Sequence, residues 1–81
     1  MHELGIAQRI LEVALARAAA AGATRITGLQ LEIGEDSDVS ASAIELYWPA
    51  VSRGTPAEGA RLAFASAADP RAFDLRSIDV P

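Results

Sequence analysis

The sequence contains no cysteine. That excludes a disulfide scaffold, a cysteine-ligated zinc site, an iron–sulfur centre and a thiol nucleophile. Lysine is missing too, since all seven basic residues are arginine; with the abundant alanine this reflects GC-rich coding and carries no functional content. Positive charge is in deficit: 7 basic against 11 acidic residues give a net charge of −4. Such a chain is a poor unaided ligand for DNA, RNA or anionic lipid. No apolar run approaches the roughly 18–20 residues of a membrane span. The opening Met1-His2-Glu3-Leu4 is acidic, so a signal peptide is not expected and the cytoplasm is the expected compartment. What is present is 81 residues with 51% hydrophobic content, enough for one small domain with a thin core.

The pattern predicts a helix over residues 4–21. Leu4, Ala7, Leu11, Ala14, Leu15 and Ala18 recur at three- and four-residue steps, and Ile6, Ile10 and Val13 widen the stripe. Gly22 stands where a positive-φ residue would end it. Residues 24–33 read as a strand in which Leu29, Leu31 and Ile33 alternate with Gln30 and Glu32. Ile26 is out of phase, and a bulge near Gly28 would reconcile the two parities. After an acidic turn, Ser40 is the expected N-cap of a second helix over residues 41–52, with Ile44, Tyr47, Trp48 and Val51 on one face. Pro49 lies inside it and predicts a kink after Trp48. Residues 61–66 and 73–80 complete the set as strands expected to pair as a hairpin. The order helix, strand, helix, strand, strand gives an α+β fold, a small three-stranded sheet packed by two helices. The expected core is Leu11, Leu29, Leu31, Ile44, Leu62 and Phe64.

Candidate chemistry is sparse. Glu35, Asp36 and Asp38 lack the downstream bidentate Glu of a calcium loop and read as a solvated turn. Ser37, Ser40, Ser42 and Ser52 have no base near them in sequence, and Gly54 and Gly59 have no following lysine to make a phosphate loop. His2 is the only histidine. Next to the chain's amine it has two readings. It is either an ordinary terminal residue, or part of a chelate in which the Met1 amine, the His2 amide and the imidazole close fused rings on one metal. Glu3 would fill a fourth corner. Tetragonal nitrogen and oxygen donors suit Ni(II) or Cu(II).

The stretch Met1-His2-Glu3-Leu4-Gly5-Ile6-Ala7-Gln8 resembles the opening of the HypA/HybF family, nickel chaperones of NiFe-hydrogenase maturation. The likeness continues through Ile26-Thr27, Leu29-Gln30-Leu31-Glu32-Ile33-Gly34-Glu35, Ser37 and Val39. It resumes at Arg53-Gly54-Thr55 and Ala57-Glu58-Gly59-Ala60, with Leu62 and Phe64 beyond. The resemblance implies one HypA-like nickel-binding domain over residues 1–81, with metal ligands at Met1, His2 and Glu3. It also implies that the family's zinc module is absent, a short turn at about residues 67–72 standing in its place, so no zinc is expected. Gly5 and Pro49 depart from the family pattern, as do Ala63 and Ala65, which replace positions that are often charged.

The implied function is that of a non-enzymatic metallochaperone. It would hold Ni(II) at its N-terminus and pass it by ligand exchange to a hydrogenase large-subunit precursor, with a HypB-type GTPase as a further partner. The alternative is a non-delivering subunit or assembly factor that keeps the fold, for which Tyr47, Trp48, Ala63 and Ala65 would form the partner surface. A urease client stays open beside a hydrogenase one. Nucleic acid and membrane are not expected partners.

Overall fold

A computed structural model of the protein describes residues 3–81. The elements run α1 (Glu3–Ala20), β1 (Gly28–Ile33), α2 (Ala41–Ser52), β2 (Arg61–Ser66) and β3 (Phe73–Asp79). This is the expected α+β order.

The buried line of α1 is made of small residues more than of leucines. Ala7, Ile10, Ala14 and Ala18 are buried, Leu11 and Leu15 are partly covered, and Leu4 is 42% exposed. Alanines at this spacing let α1 lie close to its neighbours, and the leucines then flank the contact. The helix ends in a Schellman motif: Ala23 N–H donates to Ala18 O at 2.8 Å and Gly22 N–H to Ala19 O at 3.0 Å. Gly22 takes φ +72°, the left-handed conformation that glycine adopts without a Cβ penalty.

At the start of α2 the Ser40 hydroxyl accepts the Ala43 amide at 3.2 Å. It fills one of the donors that a helix N-terminus leaves orphaned. Ser40→Ala should therefore lower stability by about 1 kcal/mol in a denaturant titration, with the slope of the transition unchanged. The helix runs unbroken from Ala41 to Ser52 across Pro49. Pro49 removes the amide that would bond the Glu45 carbonyl, but both residues are exposed, so water can satisfy that carbonyl. One turn on, buried Ser52 donates its hydroxyl to Trp48 O at 2.7 Å.

The sheet order is β2-β1-β3, with β1 parallel to β2 and antiparallel to β3. This corrects the expected hairpin of the last two strands, which do not pair: β1 lies between them. Residues 67–72 instead pass over the C-terminal end of β1. Ala67 N–H donates to Ile33 O at 2.9 Å, Gly34 N–H to Ala72 O at 2.8 Å and Asp36 N–H to Pro70 O at 2.7 Å. The first strand is also shorter than expected. Residues 24–27 lead into it as an irregular segment in which Ile26 is buried and its N–H donates to Pro56 O. That tie accounts for Ile26's parity without a bulge at Gly28. The irregularity lies in β3, where Gln30 faces Ser77 but Leu31 faces Leu75. The extra residue keeps Phe73, Leu75 and Ile78 on the core side, opposite Ile33, Leu31 and Leu29.

The core is Leu29, Leu31, Ile26, Ile44 and Trp48 with the small residues of α1, and Leu11, Leu62 and Phe64 close its rim half-buried. The outer face of the sheet is polar along β1 and β3: Arg76 pairs with Glu32, and Gln30 Nε2 donates to Asp79 Oδ2 at 2.8 Å. Among the described residues, no helix is long and apolar enough to cross a membrane.

Candidate metal-binding terminus and partner surfaces

Of the three expected metal ligands, Met1 and His2 lie outside the described residues. Glu3 opens α1 and is half-buried. A carboxylate in the first turn complements the positive end of the helix dipole. One turn on, the helix is pinned: Ala7 is fully buried against Val39 and Ile44, with Ile6 packed beside it. The backbone that carries Glu3 therefore leaves a fixed point of the core.

Beside this end of α1, Leu4, Gln8, Leu11 and Glu12 face Ala50 and Val51 of α2 across an open groove of about 480 Å³. Sequence reasoning placed Leu4 and Leu11 in the buried stripe and missed this groove. The signal for it was the alanine line at 7, 14 and 18, which marks the close contact and leaves the leucines at its margin.

The acidic turn behaves as a surface feature. Glu35, Asp36 and Asp38 are exposed, and Asp36 and Asp38 line a shallow depression with Arg71. Among the described residues no three His, Asp or Glu side chains converge as a metal site. The four residues expected on a partner surface are not brought together. Ala63 and Ala65 are exposed on β2 and Tyr47 is half-buried, but Trp48 is only 4% exposed. Trp48 is a core residue, because its position on α2 faces the sheet one turn after Ile44. Its indole N–H meets no acceptor among the described residues.

Comparison with known proteins identifies the lineage. The family described as "Hydrogenase/urease nickel incorporation, metallochaperone, hypA" matches residues 1–70. The Hydrogenase maturation factor HypA of Klebsiella pneumoniae is 47% identical over 62 residues, covering 76% of this chain and 54% of that protein. The proteins of that name from Salmonella typhimurium and Escherichia coli are each 44% identical over 62 residues. Those matches cover 76% of this chain and 52% and 53% of the relatives. The chain thus spans about half the length of the curated relatives it matches. On a match to most of its length, this chain belongs to the HypA family.

Proposed function

We propose that this chain is a nickel metallochaperone domain of hydrogenase maturation, holding Ni(II) as cargo on Met1, His2 and Glu3. The observation that carries this reading is the family match, which includes the N-terminus itself and spans residues 1–70. The anchoring of α1 at Ala7 supports it, because a chelate one turn before a buried residue has one end held by the fold. Amine, amide and imidazole nitrogens take three corners of a square plane, and an incoming thiolate of a client can displace the Glu3 donor at the fourth. Delivery is then ligand exchange, and no bond in a substrate is broken. The proposed client is a hydrogenase large-subunit precursor, with a HypB-type GTPase as the other partner and the cytoplasm as the setting. The proposed domain organisation is a single nickel-binding unit without zinc, in which residues 67–72 join β2 to β3 directly.

The test is Ni(II) titration of tag-free protein with an authentic Met1 amine, beside a version extended at the N-terminus. The extended protein should lose specific binding, while a C-terminal extension should leave it intact. Binding should also weaken as pH falls, since protons compete for the nitrogen donors. Equal affinity with the amine blocked would remove the chelate.

A further inference from the structure

Exposed charges differ between the two ends of the sheet. At the end where β1 finishes, Glu35, Asp36, Asp38, Asp69 and Asp74 are exposed, with Arg71 among them. At the opposite end, the turns that lead into β1 and β2 carry Arg25, Arg53 and Arg61, all exposed, and one acid, Glu58. Among the described residues the only salt bridge is that of Arg76 with Glu32, so none of these three guanidinium groups has a carboxylate partner there. Glu58 is engaged by the backbone, its Oε1 accepting Gly54 N–H at 3.3 Å, and Asp79 at the end of β3 accepts from Gln30. The backbone adds donors of the same sense: the amides of Thr24, Arg25 and Gly59 meet no acceptor among the described residues. A chain of net charge −4 thus has one donor-rich, locally positive end. Two depressions shape it. Thr24, Arg25, Thr55 and Pro56 line one of about 430 Å³, and Trp48, Ser52, Arg53 and Gly59 line another of about 400 Å³. They adjoin at Glu58, with an arginine in each.

We propose that this end docks an acidic segment of a partner protein, one carboxylate pairing with Arg25 and a second with Arg53 on either side of Glu58. A guanidinium fork matches a carboxylate in two parallel hydrogen bonds, and these arginines have no internal ion pair to give up. Charge complementarity selects a short acidic stretch over a long polyanion. Screening confines its field to roughly 8 Å at physiological salt, and within that reach this end is positive. A nucleic acid or an anionic membrane extends over the rest of the chain, which carries the acidic excess. The surface also lies clear of the N-terminus. Ile6 and Ala7 cluster with Val39 and Phe73 at the acidic end, so the 18 residues of α1 put about 27 Å between Glu3 and the arginine end. A partner held there leaves the terminus uncovered, and the docking itself needs neither Met1 nor His2.

A capped hexa-aspartate peptide should bind the full chain at physiological ionic strength. Binding should change the emission of Trp48, the one tryptophan, which lines the Arg53 depression. Affinity should fall as salt rises. Arg25→Glu with Arg53→Glu should weaken the peptide about tenfold or more at an unchanged thermal melt, because both side chains are exposed and unpaired. Arg9→Glu with Arg71→Glu makes the same change in net charge at exposed positions elsewhere, and should leave affinity within about twofold. Absence of peptide binding overturns the proposal, as do equal losses from the two double variants. Tighter binding of a six-nucleotide oligothymidylate, or of phosphatidylserine vesicles, overturns the acidic segment as the occupant.

Discussion

Gly34→Ala should unfold this domain or bring it close to unfolding. Gly34 is buried under residues 69–72, and a Cβ there would collide with the Asp69 and Pro70 carbonyls. Those atoms are backbone, so no rotamer change relieves the clash. Moving the turn away breaks Gly34 N–H to Ala72 O and Asp36 N–H to Pro70 O. Two hydrogen bonds contribute about 1 kcal/mol each, and overpacking adds roughly 1–3 kcal/mol. The sum, about 3–5 kcal/mol, compares with a total of roughly 4–12 kcal/mol for a domain of this size. A thermal melt should fall by about 15 °C or more. Gly22→Ala is the matched control: φ is +72° but nothing lies within 4 Å, so only the backbone penalty of about 1–2 kcal/mol applies. Equal losses at both sites would show that the turn yields easily.

His2→Ala should abolish specific nickel binding while leaving the fold intact. Among the described residues the two core clusters draw on positions from Ile6 to Ile78. Without the imidazole, the amine and amide cannot close the second chelate ring. Affinity for Ni(II) should drop by more than about a hundredfold, beyond what loss of a mere neighbour of a ligand costs. If the chain delivers nickel as proposed, a strain carrying this substitution should also fail to load the proposed hydrogenase client when external nickel is scarce. Normal loading in that strain would favour the reading as an interaction protein. Outward-facing Ala63 and Ala65 would then be the positions to alter; Trp48 would not, because its truncation empties the core.

The helices were legible because their signals are local. Ser40 and Gly22 each act on backbone groups three to five residues away, and both ends fall where the sequence puts them. Strand pairing was less legible because it is settled at a distance. Nothing near residues 67–72 says that β1 separates β2 from β3; that follows from the parallel crossover through α2 filling one flank of β1 and leaving the other vacant. The irregularity in β3 did leave a trace, since Phe73, Leu75 and Ile78 step by two and then by three. Ile26 misled because it precedes β1, in an irregular segment held by its N–H to Pro56 O, where period-two reasoning does not apply. Of the site, the proposed ligands Met1, His2 and Glu3 were readable from the residues as one of two alternatives and were favoured by family likeness, while the groove beside Leu4 needed the helix pair to be in place.

The crossing over β1 also bears on how such a domain can gain or shed parts. The chain leaves the sheet at one flank of β1 and re-enters at the other, two strand spacings or about 10 Å away. Six residues can reach about 20 Å when extended, so the present bridge spans the gap with slack to descend onto Gly34. A module grafted here would need its own ends roughly 10 Å apart, a common separation in compact domains. It would enter most easily at exposed Ala68, ahead of the carbonyls that rest on Gly34. The sheet end is thus a port: a whole domain can be plugged in or removed there while the three strands keep their pairing.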